Sequence, residues 1–183
     1  MLDRLRNFFR PKASTPPIES IMFLHHMKDF TGPFHVWSRE SAASCVRLKD
    51  GRMHVYRPGS FPDLLDGPEY ILASHALADA LREACGASME VAPVEVINVA
   101  TGEKKSQHYF DILPHEEVTP EAVRTVDATG KRAWHFRKSH LFVTGKVVLE
   151  LQSAGFTSLQ FEPGFRAFCG GVASAGEPNS WPH

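Results

Sequence analysis

Apolar and polar residues alternate along this chain with two different periods, and one ordered set of those periods occurs twice. Residues 70–94 read YILASHALADALREACGASMEVAPV, and residues 140–164, seventy positions on, read HLFVTGKVVLELQSAGFTSLQFEPG. Each stretch has a short apolar run, a hydroxyl residue (Ser74 or Thr144), a helical pattern, a glycine, a hydrophobic alternation and a proline (Pro93 or Pro163). In the first, Leu77, Leu81 and Ala84 recur at helical spacing while Asp79, Arg82 and Glu83 face elsewhere. Ser74 is placed to cap that helix and Gly86 to end it in a left-handed conformation, after which Met89, Val91, Val94 and Val96 follow a strand-like spacing. In the second, Thr144 takes the cap position, Val147, Val148 and Leu151 point inward, Gly155 lies near the stop, and Leu159 and Phe161 mark a strand. A helix between two apolar runs lets the flanking strands be parallel neighbours, or the helix merely pack on a face of an α+β fold.

Hairpin signals fill much of the rest. SCVRLKDGRMHVYR at 44–57 alternates on either side of Asp50-Gly51, the signature of a two-residue turn. PVEVINVATGEKKSQHYFDIL reads as two strands about a polar turn, and AVRTVDATGKRAWHFRKSHLFV as two about Thr129-Gly130-Lys131. RPGSFPDLLDGP at 58–68 reads as loop, because proline and glycine interrupt a ladder. The runs Ile21 to Leu24 and PFHVW at 33–37 fit either a strand or a helical turn. At the N-terminus, Leu2, Leu5, Phe8 and Phe9 share one side of a short helix that packs on its own domain or docks on a membrane surface or partner, and KASTPP at 12–17 reads as a linker. The expected architecture is α+β, mostly antiparallel sheet with hairpins and two similar strand-helix-strand units. Its parts are an N-terminal segment and linker (1–17), a domain at 18–168 (one body, or lobes at 18–68 and 69–168), and a flexible tail at 169–183 that contains Trp181.

With 183 residues, 43% of them hydrophobic, the chain can bury a substantial core. A formal charge of −1 supplies no overall field towards nucleic acid or an anionic membrane. Cys45, Cys85 and Cys169 form no CxxC pair, so reduced thiols are expected, and no segment has the length of a membrane span or the form of an export signal. The expected location is cytoplasmic.

Catalytic constellations are hard to find. Among ten histidines, His25 and His26 are adjacent, which on a strand turns their rings to opposite faces, and no HxxxH or HExxH occurs. No metal or other cofactor is therefore expected. Ser74 stands at a strand-to-helix junction, but LASHA lacks the glycines of a nucleophile elbow. Asp111 and His108 are three apart, which on a strand places them on opposite sides. An enzyme would have to assemble its site from distant segments, for example a hydrolase using His35, His54 or His108 with Asp111. The basic, aromatic stretch KRAWHFRKSH at 131–140 can stack bases and cover phosphates as in a nucleic-acid adaptor, can pair with an acidic protein surface, or can simply be an amphipathic strand.

The strand ending in LFVT, the helix ending near Ala154-Gly155 and the return strand LQFEP, preceded by YILASHALADAL, HYFDIL and WHFRKSHLFV in that order, resemble the immunity-eleven family of bacterial polymorphic-toxin immunity proteins. The resemblance covers residues 68–166. It implies an intracellular, non-catalytic protein that binds a cognate toxin encoded by a neighbouring gene, without nucleic acid and without a membrane span. A related myxobacterial group carries two CxxCG zinc-type motifs; this chain has none, so the resemblance implies no metal. The family supplies no fixed set of interface residues. Residue type alone nominates Trp37, Trp134, His135 and Arg137, because interface energy concentrates in tryptophan and arginine.

Overall fold

The computed structural model describes residues 31–98 and 107–165. The amphipathic segment at 1–12, the linker, the run Ile21 to Leu24, the His25-His26 pair, and the tail with Cys169 and Trp181 lie outside the described residues. Helices and strands are both present, most strand pairs are antiparallel, and no helix among the described residues is long and apolar enough to cross a membrane.

The strands are β1 (Phe34–Ser38), β2 (Ser44–Arg47), β3 (Met53–Arg57), β4 (Leu64–Gly67), β5 (Tyr70–Ser74), β6 (Met89–Asn98), β7 (Gln107–Pro114), β8 (Glu116–Glu117), β9 (Ala133–Phe136), β10 (His140–Val143) and β11 (Leu159–Pro163). Helix α1 (His75–Cys85) follows β5, and α2 (Gly145–Ser153) follows β10. One sheet runs β11-β1-β10-β9-β8 and the other β2-β3-β6-β7-β5-β4. PFHVW, open between two readings in sequence, enters β1 from Phe34 onward, hydrogen-bonded to β10 on one side and to β11 on the other.

The strands flanking each helix are not the parallel neighbours that the helical connection allowed. β5 and β6 both run antiparallel to β7, which lies between them, and β10 and β11 both run antiparallel to β1. Each helix thus carries the chain one strand further across its sheet and leaves a slot, filled from a different part of the chain. β1 comes from before the slot it fills, and β7 from after.

Local chemistry sets the helix ends. The Ser74 hydroxyl accepts from the Leu77 N–H at 3.3 Å and donates to Asp63 Oδ1 at 2.6 Å, so the cap also ties β4's approach to the helix. Thr144 departs from the expected cap: its buried hydroxyl donates to the Gly130 carbonyl at 2.9 Å, turned towards the loop before β9. At the other end of α2, Gly155 at φ 91° lets its N–H reach the Gln152 carbonyl and the Phe156 N–H reach that of Leu151, a Schellman closure.

Three loops differ from the expectation. The β2–β3 connection is longer than two residues: Gly51 at φ 87° bonds back to the Leu48 carbonyl, and Leu48 pairs with Arg52, so the left-handed glycine ends a three-residue loop. The β9–β10 turn is made by Arg137 and Lys138, at φ 51° and 53°, and not by Thr129-Gly130-Lys131. Within the expected loop 58–68, Leu64–Gly67 forms β4, with Leu64 and Leu65 fully buried.

The six-stranded sheet curls on itself. Met53, Val55, Val96, Leu72, Tyr109, Cys45 and Leu65 form one cluster inside the curl. The Cys45 N–H on β2 donates to Tyr70 Oη on β5 at 3.1 Å, although β3, β6 and β7 lie between those strands in the sheet. Tyr109 Oη donates to the Pro62 carbonyl at 2.6 Å, Arg47 on β2 reaches Asp111 on β7 at 2.7 Å, and a bridge between Ala42 and Ser60 joins the two margins. Gly59 permits that bridge, since a Cβ there would stand 2.5 Å from the Ala43 nitrogen. The opposite face of this sheet carries α1, which packs against β5, β6, β7 and α2 and buries Leu77, Ala78, Leu81, Ala84 and Cys85. Trp134 and Phe142 of the five-stranded sheet form a second cluster with Val118 and Phe165, which lie just beyond β8 and β11.

Candidate functional site

The four residues nominated by type do not make one surface. Trp134 is 1% exposed; its Nε1 donates to Glu116 Oε2 at 3.0 Å and Arg132 lies over its ring at 5.3 Å. It is therefore a core residue, held from outside by an ion pair, and is removed from the candidate surface. Trp37 is half-buried on β1 and its Nε1 finds no hydrogen-bond partner among the described residues. His135 and Trp37 project from opposite faces of the sheet, since Val36, Leu141 and His135 share one row of the pairing. Arg137 is exposed in the β9–β10 turn, 5.0 Å above the Phe136 ring. Burial lowers the His135 pKa, against the pull of Glu117.

Much of the basic ribbon at 131–140 is engaged within the chain. Lys131 pairs with Glu150 at 2.7 Å, and Arg132 with Glu116 at 2.7 Å. The Arg132 hydrogen bond holds the Glu116 carboxyl below its ordinary pKa.

Nor, among the described side chains, are the hydrolase candidates brought together. Asp111 faces the interior of the curled sheet, where burial raises its pKa and Arg47 opposes the rise. Its Oδ1 has no hydrogen-bond partner among the described residues. It borders a cavity of about 130 Å³ together with Tyr70, Leu113, His135 and Lys138, whose lining includes no serine, threonine or cysteine. His54 points out of the opposite face, because Met53 is aligned with the Val96 row that leads to Asp111. The His108 side chain lies outside the described residues. Cys45 and Cys85 are buried free thiols whose pKa values burial raises to about 11 and about 12, so both are protonated at neutral pH.

His35 has different company. It lies on the same face of the five-stranded sheet as Phe142 and His140, with ring centroids 5.2 Å and 5.4 Å away. His140 Nδ1 stands 3.3 Å from Asp66 Oδ2, and Asp66 comes from β4 of the other sheet. Donor atoms of His35, Asp66 and His140 all lie within 4.8 Å of one another. Burial, reinforced by His140 and opposed by Asp66, lowers the His35 pKa to about 4, which leaves its imidazole neutral at physiological pH. In sequence His35 is a candidate only as a partner for Asp111; positions 35, 66 and 140 share no motif spacing, and only the packing of β4 against β1 and the approach of Asp66 to His140 join them.

No protein-family model matches the chain, and comparison with curated proteins and with solved structures returns no match. Any functional reading therefore rests on the residues themselves.

One surface feature stands apart from the nominated residues. On the outer face of the β2–β3 hairpin, Val46 is opposite His54 and Tyr56 follows two residues on, with Val46 46% and Tyr56 60% exposed. Their neighbours Cys45, Met53 and Val55 fill the curl, so the alternation that builds the core also turns this apolar and aromatic row outward. Elsewhere an exposed leucine, Leu149, borders a groove of about 500 Å³ between α1 and α2, rimmed by Glu83, Lys131, Lys146 and Glu150.

Proposed function

We propose that this protein neutralises a cognate antibacterial toxin by direct protein–protein contact, in the manner of the immunity family that residues 68–166 resemble. The observation that carries the reading is the outward row Val46, His54 and Tyr56 on a hairpin whose inner face is fixed by the core. A rigid aromatic and aliphatic row costs little ordering on binding, and tyrosine is enriched among residues that dominate interface energy. The two strand-helix-strand stretches, each with an antiparallel strand between its flanking strands, are read as copies of one unit used as scaffold.

The residue-level test is the affinity of the complex with the neighbouring gene's product. Tyr56→Ala and Val46→Asp are expected to weaken it by at least tenfold each, about 1.4 kcal/mol, with melting temperatures unchanged. Alanine at Trp37, His135 and Arg137 serves as the comparison. If both hairpin variants bind as tightly as wild type, the hairpin is not the contact surface.

A further inference from the structure

We propose that His35, Asp66 and His140 form a binding site for one divalent transition-metal ion of the zinc class. The donor set is two imidazoles and one carboxylate, drawn from β1, β4 and β10, with donor atoms mutually within 4.8 Å. Around a tetrahedral zinc ion, donors about 2.0–2.1 Å from the metal stand about 3.4 Å from each other. The His140 Nδ1 to Asp66 Oδ2 separation of 3.3 Å already meets that requirement. The remaining closure falls to side-chain rotation of His140 and Asp66, whose side chains are 28% and 26% exposed, while His35 is held in place by burial. Imidazole nitrogens favour zinc, copper, nickel or iron over magnesium and calcium, which prefer all-oxygen ligands. The three donors found among the described residues leave one position of a tetrahedral ion to a further ligand.

The site lies where the two sheets meet. A bound ion links β4 at the margin of the curled sheet to β1 and β10 of the five-stranded sheet, so binding is coupled to the folded state and raises its stability by mass action. The inference stands independently of toxin binding, because none of the three residues belongs to the β2–β3 hairpin.

The test is zinc titration by calorimetry of the full chain stripped with chelator, near pH 7.5, followed by thermal melts. One ion per chain is expected, with a melting temperature raised by roughly 5–10 °C at a hundredfold excess over the Kd. Asp66→Asn and His140→Ala each lower affinity at least tenfold, whereas His75→Ala and His115→Ala, at two exposed histidines outside the cluster, leave it unchanged. Absence of stoichiometric binding by wild type overturns the proposal, as does binding that survives both cluster substitutions. Should those variants fail to fold, X-ray absorption of the zinc-loaded wild type decides: two imidazoles and an oxygen donor support the site, and any other imidazole count refutes it.

Discussion

Replacing Tyr70 with phenylalanine tests the clasp that closes the curled sheet. The Tyr70 hydroxyl accepts the Cys45 N–H at 3.1 Å, with Tyr70 2% and Cys45 3% exposed, and it joins strands that the sheet order separates. Phenylalanine keeps the ring and removes one oxygen, so the space left is too small for a cavity term to dominate. What is lost is the partner of a buried backbone donor, at a cost of about 1–3 kcal/mol. For a chain of this size that corresponds to a melting temperature lowered by roughly 3–10 °C. Tyr56→Phe is the control: Tyr56 is 60% exposed, and the change is expected to shift stability by less than about 0.5 kcal/mol. Urea unfolding of both variants gives the difference, and amide exchange at Cys45 locates it, since that N–H is expected to exchange faster in Tyr70→Phe alone. Equal stability of the two variants would show that the clasp is not what holds the margins together.

Two further outcomes follow from the same interior. Gly59→Ala forces a methyl group against the Ala42–Ala43 backbone and is expected to destabilise by about 1–3 kcal/mol, read as a lower urea midpoint with an unchanged slope. Asp111 has its pKa raised in the folded state, chiefly by burial, so its contribution is present below the ordinary aspartate pKa and is lost as pH rises through the folded value. Wild-type stability minus that of Asp111→Asn is therefore expected to fall as pH increases upward from about 4; a difference that grows over that range would mean that Arg47, and not desolvation, controls this carboxylate.

The legible parts of the fold were those decided by neighbouring residues. Ser74 beside a helical pattern, and Gly86 and Gly155 after one, are chemical signals that act within a turn: Ser74 caps α1 and both glycines have positive φ, although Gly86, at φ 51° and ψ −121°, lies outside the left-handed helical conformation expected of it. Thr144 presents the same signal, yet its hydroxyl meets the Gly130 carbonyl, a partner brought there by the loop before β9. β4 was hidden because Leu65 faces the interior of the curl while Leu64 pairs with Ala73 on the opposite face; a strand covered on both sides shows no alternation. Trp134 was nominated by residue type, which carries no record of burial. His35, Asp66 and His140 had no sequence signal in common, because what joins them is the meeting of two sheets.

Neutralisation of a toxin by direct binding, as proposed for this chain, is tested most directly by growth rescue with co-purification. Cells expressing the neighbouring gene's product alone are expected to stop growing. Cells that also express this protein, tagged, are expected to grow, and the two chains to purify as a complex of fixed stoichiometry. A neighbour that leaves growth unaffected, or one that remains toxic and does not co-purify, would contradict the account.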